Sequence, residues 1–394
     1  MRRTLVGINA GIALAHVGNF LYFPILVATL GETYSGFWAG FVMFLTYVGR
    51  LSATFCYAGV TGRLGNRGAV VLGVLVEAVP LGLMGLVHGV PAYGVLAFVI
   101  GFGSGISFPG LKNILAGFPE DQRPKAFAGF QMACQLGALA GALAGGLFLG
   151  VPLPALFGVV FALFLGYCLA ATFLIPADRP AVPRAPLVSL GVVRGLQLRG
   201  AGRYFLLSSV FWVLSISFLV GIPLHMSRYV PQWPASTPFW VTGAVLLAMQ
   251  FPALRFMVRH LRPEQVMAVA FGAMALAYLA FGAGRTAPWV LAGCLVVVFG
   301  DILFTPSFDL WVAQRLGGER LAGAMGAMHF FRSAGNMVGT LVAGALFDLS
   351  RTLGVPGLNW YVVAAVATGC ALLCVHSVQK EVYTVEPATL PEAA

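Results

Sequence analysis

Eight ionisable side chains interrupt long apolar runs: His16, Arg50, Glu77, Lys112, Asp301, Asp309, His329 and Arg332. A charge surrounded by hydrocarbon is costly, so such groups face a bundle interior or a wet cavity and find partners there. Two kinds of chemistry suit them. Carboxylates and histidines can take up and release a proton as their surroundings change. Arginine and lysine can hold an anionic group through charge-assisted hydrogen bonds. Covalent chemistry has no foothold: the chain contains no HExxH, no GxSxG, no phosphate-binding glycine loop and no metal-ligand spacing. No enzyme activity, cofactor or metal is therefore expected.

Spacing pairs several of these residues. Arg50 and Glu77 lie at comparable distances on either side of the polar stretch 61–67. On antiparallel helices, each rising about 1.5 Å per residue, they reach a similar depth. Either they form a structural ion pair that locks the two helices, or Glu77 carries a proton whose affinity burial and Arg50 both set. Asp301 and Arg332 bracket the stretch 313–321 in the same way. Asp301 then either trades its proton against a cationic substrate or against Arg332, or serves as a static partner of Arg332. His329 is one turn from Arg332 and corresponds to Gln131 in the first half of the chain. It reads as a charge switch near neutral pH or as a hydrogen-bonded core histidine. His16, Asn19 and Tyr22 follow one another at intervals of three just before Pro24. They are expected on one helix face lining a cavity, with Asn19 as a helix–helix hydrogen-bond donor the alternative.

The elements that must position these groups are membrane helices. Of 394 residues, 59% are hydrophobic and 9% charged, against about 25% charged in a soluble domain. Apolar runs of about 20 residues, enough to span a bilayer, fall near 5–30, 36–60, 68–88, 91–115, 126–149, 153–175, 204–226, 236–257, 264–283, 288–312, 322–347 and 358–378. They are numbered here as spans one to twelve. The six cysteines all lie within apolar runs and read as small packing residues. The net charge of +10 reflects loop distribution, not nucleic-acid binding. Seventeen Lys and Arg residues fall on one side of the membrane, against only Arg228, Arg285 and Arg351 on the other. The positive-inside rule makes the first side, with both termini, cytoplasmic. Arg2 and Arg3 precede the first run as in a secretory signal, but the run is long and contains Pro24, so an uncleaved helix is expected.

Residues 176–203 divide the chain, with Pro176, Pro180, Pro183 and Pro186 among five arginines. The organisation is a six-helix bundle over 1–175, a basic cytoplasmic linker over 176–203, a second six-helix bundle over 204–379 and a disordered cytoplasmic tail over 380–394. Within the linker, 187–198 could alternatively form a short helix lying on anionic headgroups.

The two halves repeat. Span four reads Gly103-Ser-Gly-Ile-Ser-Phe-Pro109-Gly-Leu-Lys112 and span ten reads Gly300-Asp-Ile-Leu-Phe-Thr-Pro306-Ser-Phe-Asp309. Each proline has a charged residue three positions later. If the halves rock about a midplane site, Lys112 and Asp309 approach when the cytoplasmic side closes, alongside Arg63 of the 61–67 loop. The alternative is that both snorkel to the headgroups. Small residues then recur at matching offsets in span five, Gly137 to Gly146, and span eleven, Gly335 to Gly344. Spaced three and four apart, they leave a groove of bare backbone for a closely packed neighbour. Pro24, Pro80, Pro109 and Pro306 invite kinks, those of spans four and ten serving as bending points.

These features resemble the major facilitator superfamily over essentially the whole chain. The fifth-span motif of its drug:proton antiporters, G-x-x-x-G-P-x-x-G-G, is matched by Gly137, Gly141, Gly145 and Gly146, with Ala142 in place of the proline. The loop motif between spans two and three, G-x-L-A-D-R-x-G-R-K, is matched less well. Arg63 and Gly65 are kept, but Gly62 stands where a gating Asp belongs, and span four lacks the arginine usual in antiporters.

The resemblance implies an all-α membrane protein of twelve transmembrane helices in two pseudo-symmetric six-helix bundles. It puts span ten, with Asp301, on the central cavity and span three on the outer side, which favours the structural reading of Glu77. The implied activity is secondary active export of a small amphipathic organic molecule by proton antiport and alternating access, as in small bacterial multidrug-resistance exporters of the inner membrane. A dedicated siderophore, metallophore or metabolite exporter is the alternative, since Arg50, Lys112 and Arg332 suit a carboxylate. A facilitator or membrane receptor without proton coupling is the second, motivated by the missing Asp and Arg. The expected partners are a small-molecule substrate, protons and the bilayer, with no nucleic acid, and the expected unit is a monomer.

Overall fold

A computed structural model of the chain describes residues 2–148, 150–177, 202–315 and 321–384. The protein is all helix in these segments. Nine helices among the described residues are long and apolar enough to cross a membrane by length and composition. One of them, Gly36–Met84, runs for 49 residues and carries spans two and three. At Gly65 its backbone turns to φ 71°, ψ 175°, a left-handed conformation that glycine adopts without a Cβ clash. Residues before and after that glycine both pack along Val90–Ala116, span four, but in opposite directions: Arg50 and Ala53 lie against Gly105, while Val70 meets Gly110 and Glu77 meets Gly103. The long helix is therefore a hairpin. Thr237–His260 and Leu321–Thr352 carry spans eight and eleven and complete the twelve.

The remaining spans are Arg2–Thr33 (one), Arg123–Gly145 (five), Leu153–Leu174 (six), Gly202–Tyr229 (seven), Pro263–Ala283 (nine), Ala287–Arg315 (ten) and Leu358–Thr384 (twelve). Pro24, Pro80, Pro109 and Pro306 all lie inside helices. The last helix passes Lys380, where the tail is expected to begin, and runs to Thr384. Residues 385–394 and almost all of the linker, including 187–198, lie outside the described residues.

Two aromatic-rich cores hold the bundles. One gathers Ile8, Leu26, Val74, Phe157, Phe164 and Tyr167, chiefly from spans one to six. The other gathers Phe205, Phe211, Phe271, Tyr278, Phe304 and Trp360 from spans seven to twelve, with Phe211 and Phe304 stacked at 3.8 Å between ring centroids. The outer surface is apolar: Phe173 is 67% and Leu372 65% exposed. Such side chains suit a lipid-facing wall.

The small-residue grooves show why glycine stands where it does. A Cβ on Gly137 would lie 2.5 Å from the Ala13 carbonyl oxygen, and one on Gly141 would strike that of Val17, so span five lies directly on span one. Gly335 and Gly339 meet Ser209 and Val213 of span seven in the same manner. Further along, each groove changes partner and crosses to the other half. Gly145 abuts Ser236, and Gly344 abuts the backbone of Gly36.

Candidate functional site

An even number of spans puts both termini at one end of the bundle, called here the terminal end; the opposite end is the distal end. The halves meet at the distal end. Gly31 faces Leu224, Gly40 faces the carbonyl of Thr340, and Gly36 lies 3.0 Å from the Gly344 carbonyl oxygen by its would-be Cβ. There Asp348 of span eleven caps span two. Its carboxylate accepts from the Gly36 amide at 2.9 Å and the Phe37 amide at 2.8 Å. The first amides of a helix have no partner within it and carry its positive dipole end, which a carboxylate satisfies on both counts. Asp348 was not among the residues singled out from the sequence. It stands near Arg351 in a polar stretch, and nothing in its spacing points to span two.

At the terminal end the expected gate residues are not paired with one another among the described residues. The Lys112 ammonium sits 4.8 Å from the centroid of the Phe108 ring, and Asp309 is exposed. Arg63 reaches back to the Gly59 carbonyl of its own helix at 3.4 Å. Arg67 donates to the Thr172 carbonyl near the end of span six at 2.6 Å.

Midway along the spans, acids and bases are sorted onto separate partners. Ser104 and Ser107 lie one turn apart on span four. Arg50 Nη2 donates to Ser104 Oγ at 2.8 Å, and Ser107 Oγ donates to Glu77 Oε1 at 2.6 Å. Glu77 is only 6% exposed. The expected Arg50–Glu77 ion pair is thus not formed among the described residues. Depth alone considers spans two and three. Span four packs against both, with a Cβ on Gly105 only 2.6 Å from the Arg50 carbonyl oxygen and one on Gly103 2.8 Å from the Glu77 amide nitrogen. It supplies a hydroxyl to each.

Span seven does the same in the second half. Ser215 Oγ donates to Asp301 Oδ1 at 3.1 Å, and one turn earlier the Trp212 ring lies under the Arg332 guanidinium at 3.8 Å. A static Asp301–Arg332 ion pair is not formed either. Both arginines are exposed, whereas Glu77 is buried and Asp301 half-buried. Arg50 and Arg332 come from opposite halves, yet they lie within electrostatic reach of one another and of Tyr47. The Arg50 guanidinium is 5.5 Å from the Tyr47 ring centroid. Tyr47, Trp212 and the three serines escaped the sequence reading, since aromatic and hydroxyl residues are common in membrane helices and carry no spacing signal.

His16 and Asn19 are half-buried, and His16 Nδ1 donates to the Ile12 carbonyl at 2.9 Å. Tyr22 does not share their face. It is 7% exposed and packs on Phe157 with ring centroids 5.4 Å apart. At 3.6 residues per turn each step of three falls back by about 60°, so two steps carry Tyr22 round into the core. Gln131 is exposed on span five. His329 lies one turn before Arg332 on span eleven, and its side chain lies outside the described residues. Ala142 is fully buried and joins the core of the second half. Among the described residues no group of three His, Cys, Asp or Glu side chains could hold a metal ion.

Known proteins agree on the family. "Multidrug resistance protein MdtH" of Cronobacter sakazakii is 22% identical over 366 residues, covering 91% of this chain and 90% of that protein. "Uncharacterized MFS-type transporter YttB" of Bacillus subtilis is 24% identical over 330 residues, 79% of each chain. Among solved structures, the nucleoside transporter NupG superposes with a TM-score of 0.79 at 15% identity, covering 96% of this chain and all of that one (100%). The peptide transporter POT in complex with alafosfalin gives 0.78 at 14% identity, covering 95% and 94%. The family profile matches residues 8–378; the chain is a multi-pass membrane transporter, not an enzyme, and belongs to the Major Facilitator Superfamily.

Proposed function

We propose that this transporter exports a small amphipathic organic molecule across the bacterial inner membrane in exchange for protons, by alternating access, as a monomer with both termini cytoplasmic. The basic loops at the terminal end support that orientation. With the distal end closed by Asp348 and glycine contacts, the conformation is then inward-facing. The similarity to proteins named for multidrug resistance supports export.

One observation carries the coupling: among the described residues Asp301 is held by one neutral hydroxyl, Ser215, while Arg332 stands within electrostatic reach but rests on Trp212. A carboxylate locked to an arginine stays ionised. One held by a hydroxyl, with an arginine close enough to change its partner, can hold a proton in one state and lose it in the other. Glu77, deep in the packing of spans three and four, is a structural acid on this reading. His16, Asn19 and Gln131 contribute polar contacts to the substrate cavity.

The test is transport in proteoliposomes, using a panel of cationic, neutral and anionic amphipathic dyes and an imposed pH gradient. Wild type should move at least one dye against its gradient. Asp301→Asn should abolish that drive yet still exchange dye down its gradient, and Glu77→Gln should keep most of it. Proton release on adding the dye to detergent-solubilised protein should follow the same order. Movement in wild type that ignores the pH gradient would replace this reading with an uncoupled facilitator, which Gly62 in place of the loop Asp and the absence of a span-four arginine favour.

A further inference from the structure

We infer that Arg50 and Arg332 form a two-point site for the acidic group of an aromatic organic anion, so that the molecules handled are aryl-bearing carboxylates, phosphonates or sulfonates. The inference rests on the transporter reading above and names its substrate class.

Three observations converge on it, and one consequence follows. The two guanidiniums are exposed and stand on facing helices from opposite halves: spans two and eleven touch at Gly40 and Thr340, and Arg50 and Arg332 both lie from that contact toward the terminal end, at a similar depth. Like charges held together in a membrane interior repel and call for a counter-charge. Among the described residues no acid forms an ion pair with either arginine. Glu77 is taken by Ser107 and Asp301 by Ser215. Asp309 is also within reach of Arg332, but it stands further toward the terminal end without forming an ion pair.

The third observation concerns geometry. Arg332 lies over the Trp212 ring at 3.8 Å and Arg50 beside the Tyr47 ring at 5.5 Å. A guanidinium as close over a ring as Arg332 engages it with its flat face and leaves its in-plane N–H groups pointing outward, matched in spacing to a carboxylate or phosphonate. Arg50 commits one such group to Ser104, which fixes its orientation and leaves others free. The same Tyr47 and Trp212 rings offer apolar faces to an aryl body attached to the acid. Last, an anion bridging the two arginines ties one half to the other. It would bind more tightly as the halves close around it, and only such differential binding shifts a conformational equilibrium.

The experiment is calorimetric binding to the purified full chain at one fixed pH with no gradient, using 2-naphthoate, its neutral amide 2-naphthamide and 2-naphthylmethylammonium. Naphthoate should bind at least about tenfold tighter than either relative, the size of one charge-assisted contact. Arg50→Gln and Arg332→Gln should each weaken naphthoate by about tenfold or more, with Arg332→Lys weakening it less. Naphthamide binding and the thermal unfolding midpoint should stay unchanged, which separates loss of the site from loss of the fold; a glutamine variant that unfolds is replaced by its lysine counterpart. Absent binding of naphthoate, equal or tighter binding of the amide or the ammonium, or naphthoate affinity indifferent to both arginines would each overturn the site. Because no gradient is used, the result is independent of coupling. Gradient-driven movement of a cationic dye without naphthoate binding would sink this site alone, while naphthoate binding without gradient-driven transport would sink proton coupling and leave the site standing.

Discussion

The two ends of the bundle join the halves in different ways. At the distal end the join is backbone against backbone, Gly36 on Gly344 and Gly40 on Thr340, sealed by the Asp348 carboxylate on two amides of span two. At the terminal end the corresponding groups are charged side chains, Lys112 and Asp309, and among the described residues no ion pair joins them. The difference is one of rigidity as well as distance. A glycine contact tolerates no adjustment, so it is either made or broken. Two flexible charged side chains can meet over a range of separations and contribute little where water reaches them. The loop between spans two and three, where the family places a gating Asp, carries Gly62 instead. The carboxylate that caps a helix across the halves stands at the opposite end, on Asp348.

If the distal join is the stiff one, enlarging it should have the largest effect. In Gly344→Val the first added carbon already meets the Gly36 backbone, and overpacking of this kind costs about 1–3 kcal/mol or more. Spin-label distances across the distal end should lengthen, with the narrow closed population largely lost. An unchanged distance distribution would show that this glycine contact does not hold the halves together.

Asp348→Asn should follow with a smaller effect. The amide keeps one acceptor oxygen but loses the charge that opposes the helix dipole, and charged hydrogen bonds contribute about 1.5–3 kcal/mol against about 1 for neutral ones. A shift of roughly 1.4 kcal/mol is a tenfold change in the closed-to-open ratio. The same distances should report it as a second, longer population. Glu at this position should restore less than Asp, since its extra methylene displaces the carboxylate from the Gly36 and Phe37 amides.

How much of this was legible in the sequence differs residue by residue. The spans were readable because long runs of apolar side chains have no other stable use, and the grooves of spans five and eleven because small residues recur at helical spacing. The partners were not. Nothing in Gly137 or Gly335 says that spans one and seven lie in those grooves, nor that Gly145 and Gly344 cross to the other half. Arg50 and Glu77 could be placed at one depth, yet two ordinary serines on span four decide that they do not pair. Asp301 and Arg332 are sorted the same way by Ser215 and Trp212. In each half a third helix supplies the partner that the depths of two helices do not determine. Tyr22 failed for a simpler reason, since spacing by three drifts around the helix. Asp348 resembled a loop charge until span two arrived beside it.

The smallest expected effect belongs to the terminal end and bears most directly on how the two ends differ. Lys112 and Asp309 stand three residues after matching prolines in the repeat, which puts them on corresponding turns of spans four and ten. A bridge between them is expected when that end closes, and being partly exposed it would contribute about 0–1 kcal/mol, at most a few-fold in the population closed at the terminal end. Lys112→Glu or Asp309→Lys alone replaces attraction with repulsion and should slow substrate transport by several-fold. The double exchange, Lys112→Glu with Asp309→Lys, should recover most of the rate, because the pair is restored with its signs reversed. Distances across the distal end should not move in any of the three when substrate is absent, since the state closed at the distal end makes no use of the pair. If the double exchange transports no better than either single variant, the two residues act separately at the headgroups and the terminal end closes by other contacts. If instead the distal distances respond to a charge placed at position 112, the stiff and soft joins are one coupled device, and the contrast between the two ends dissolves.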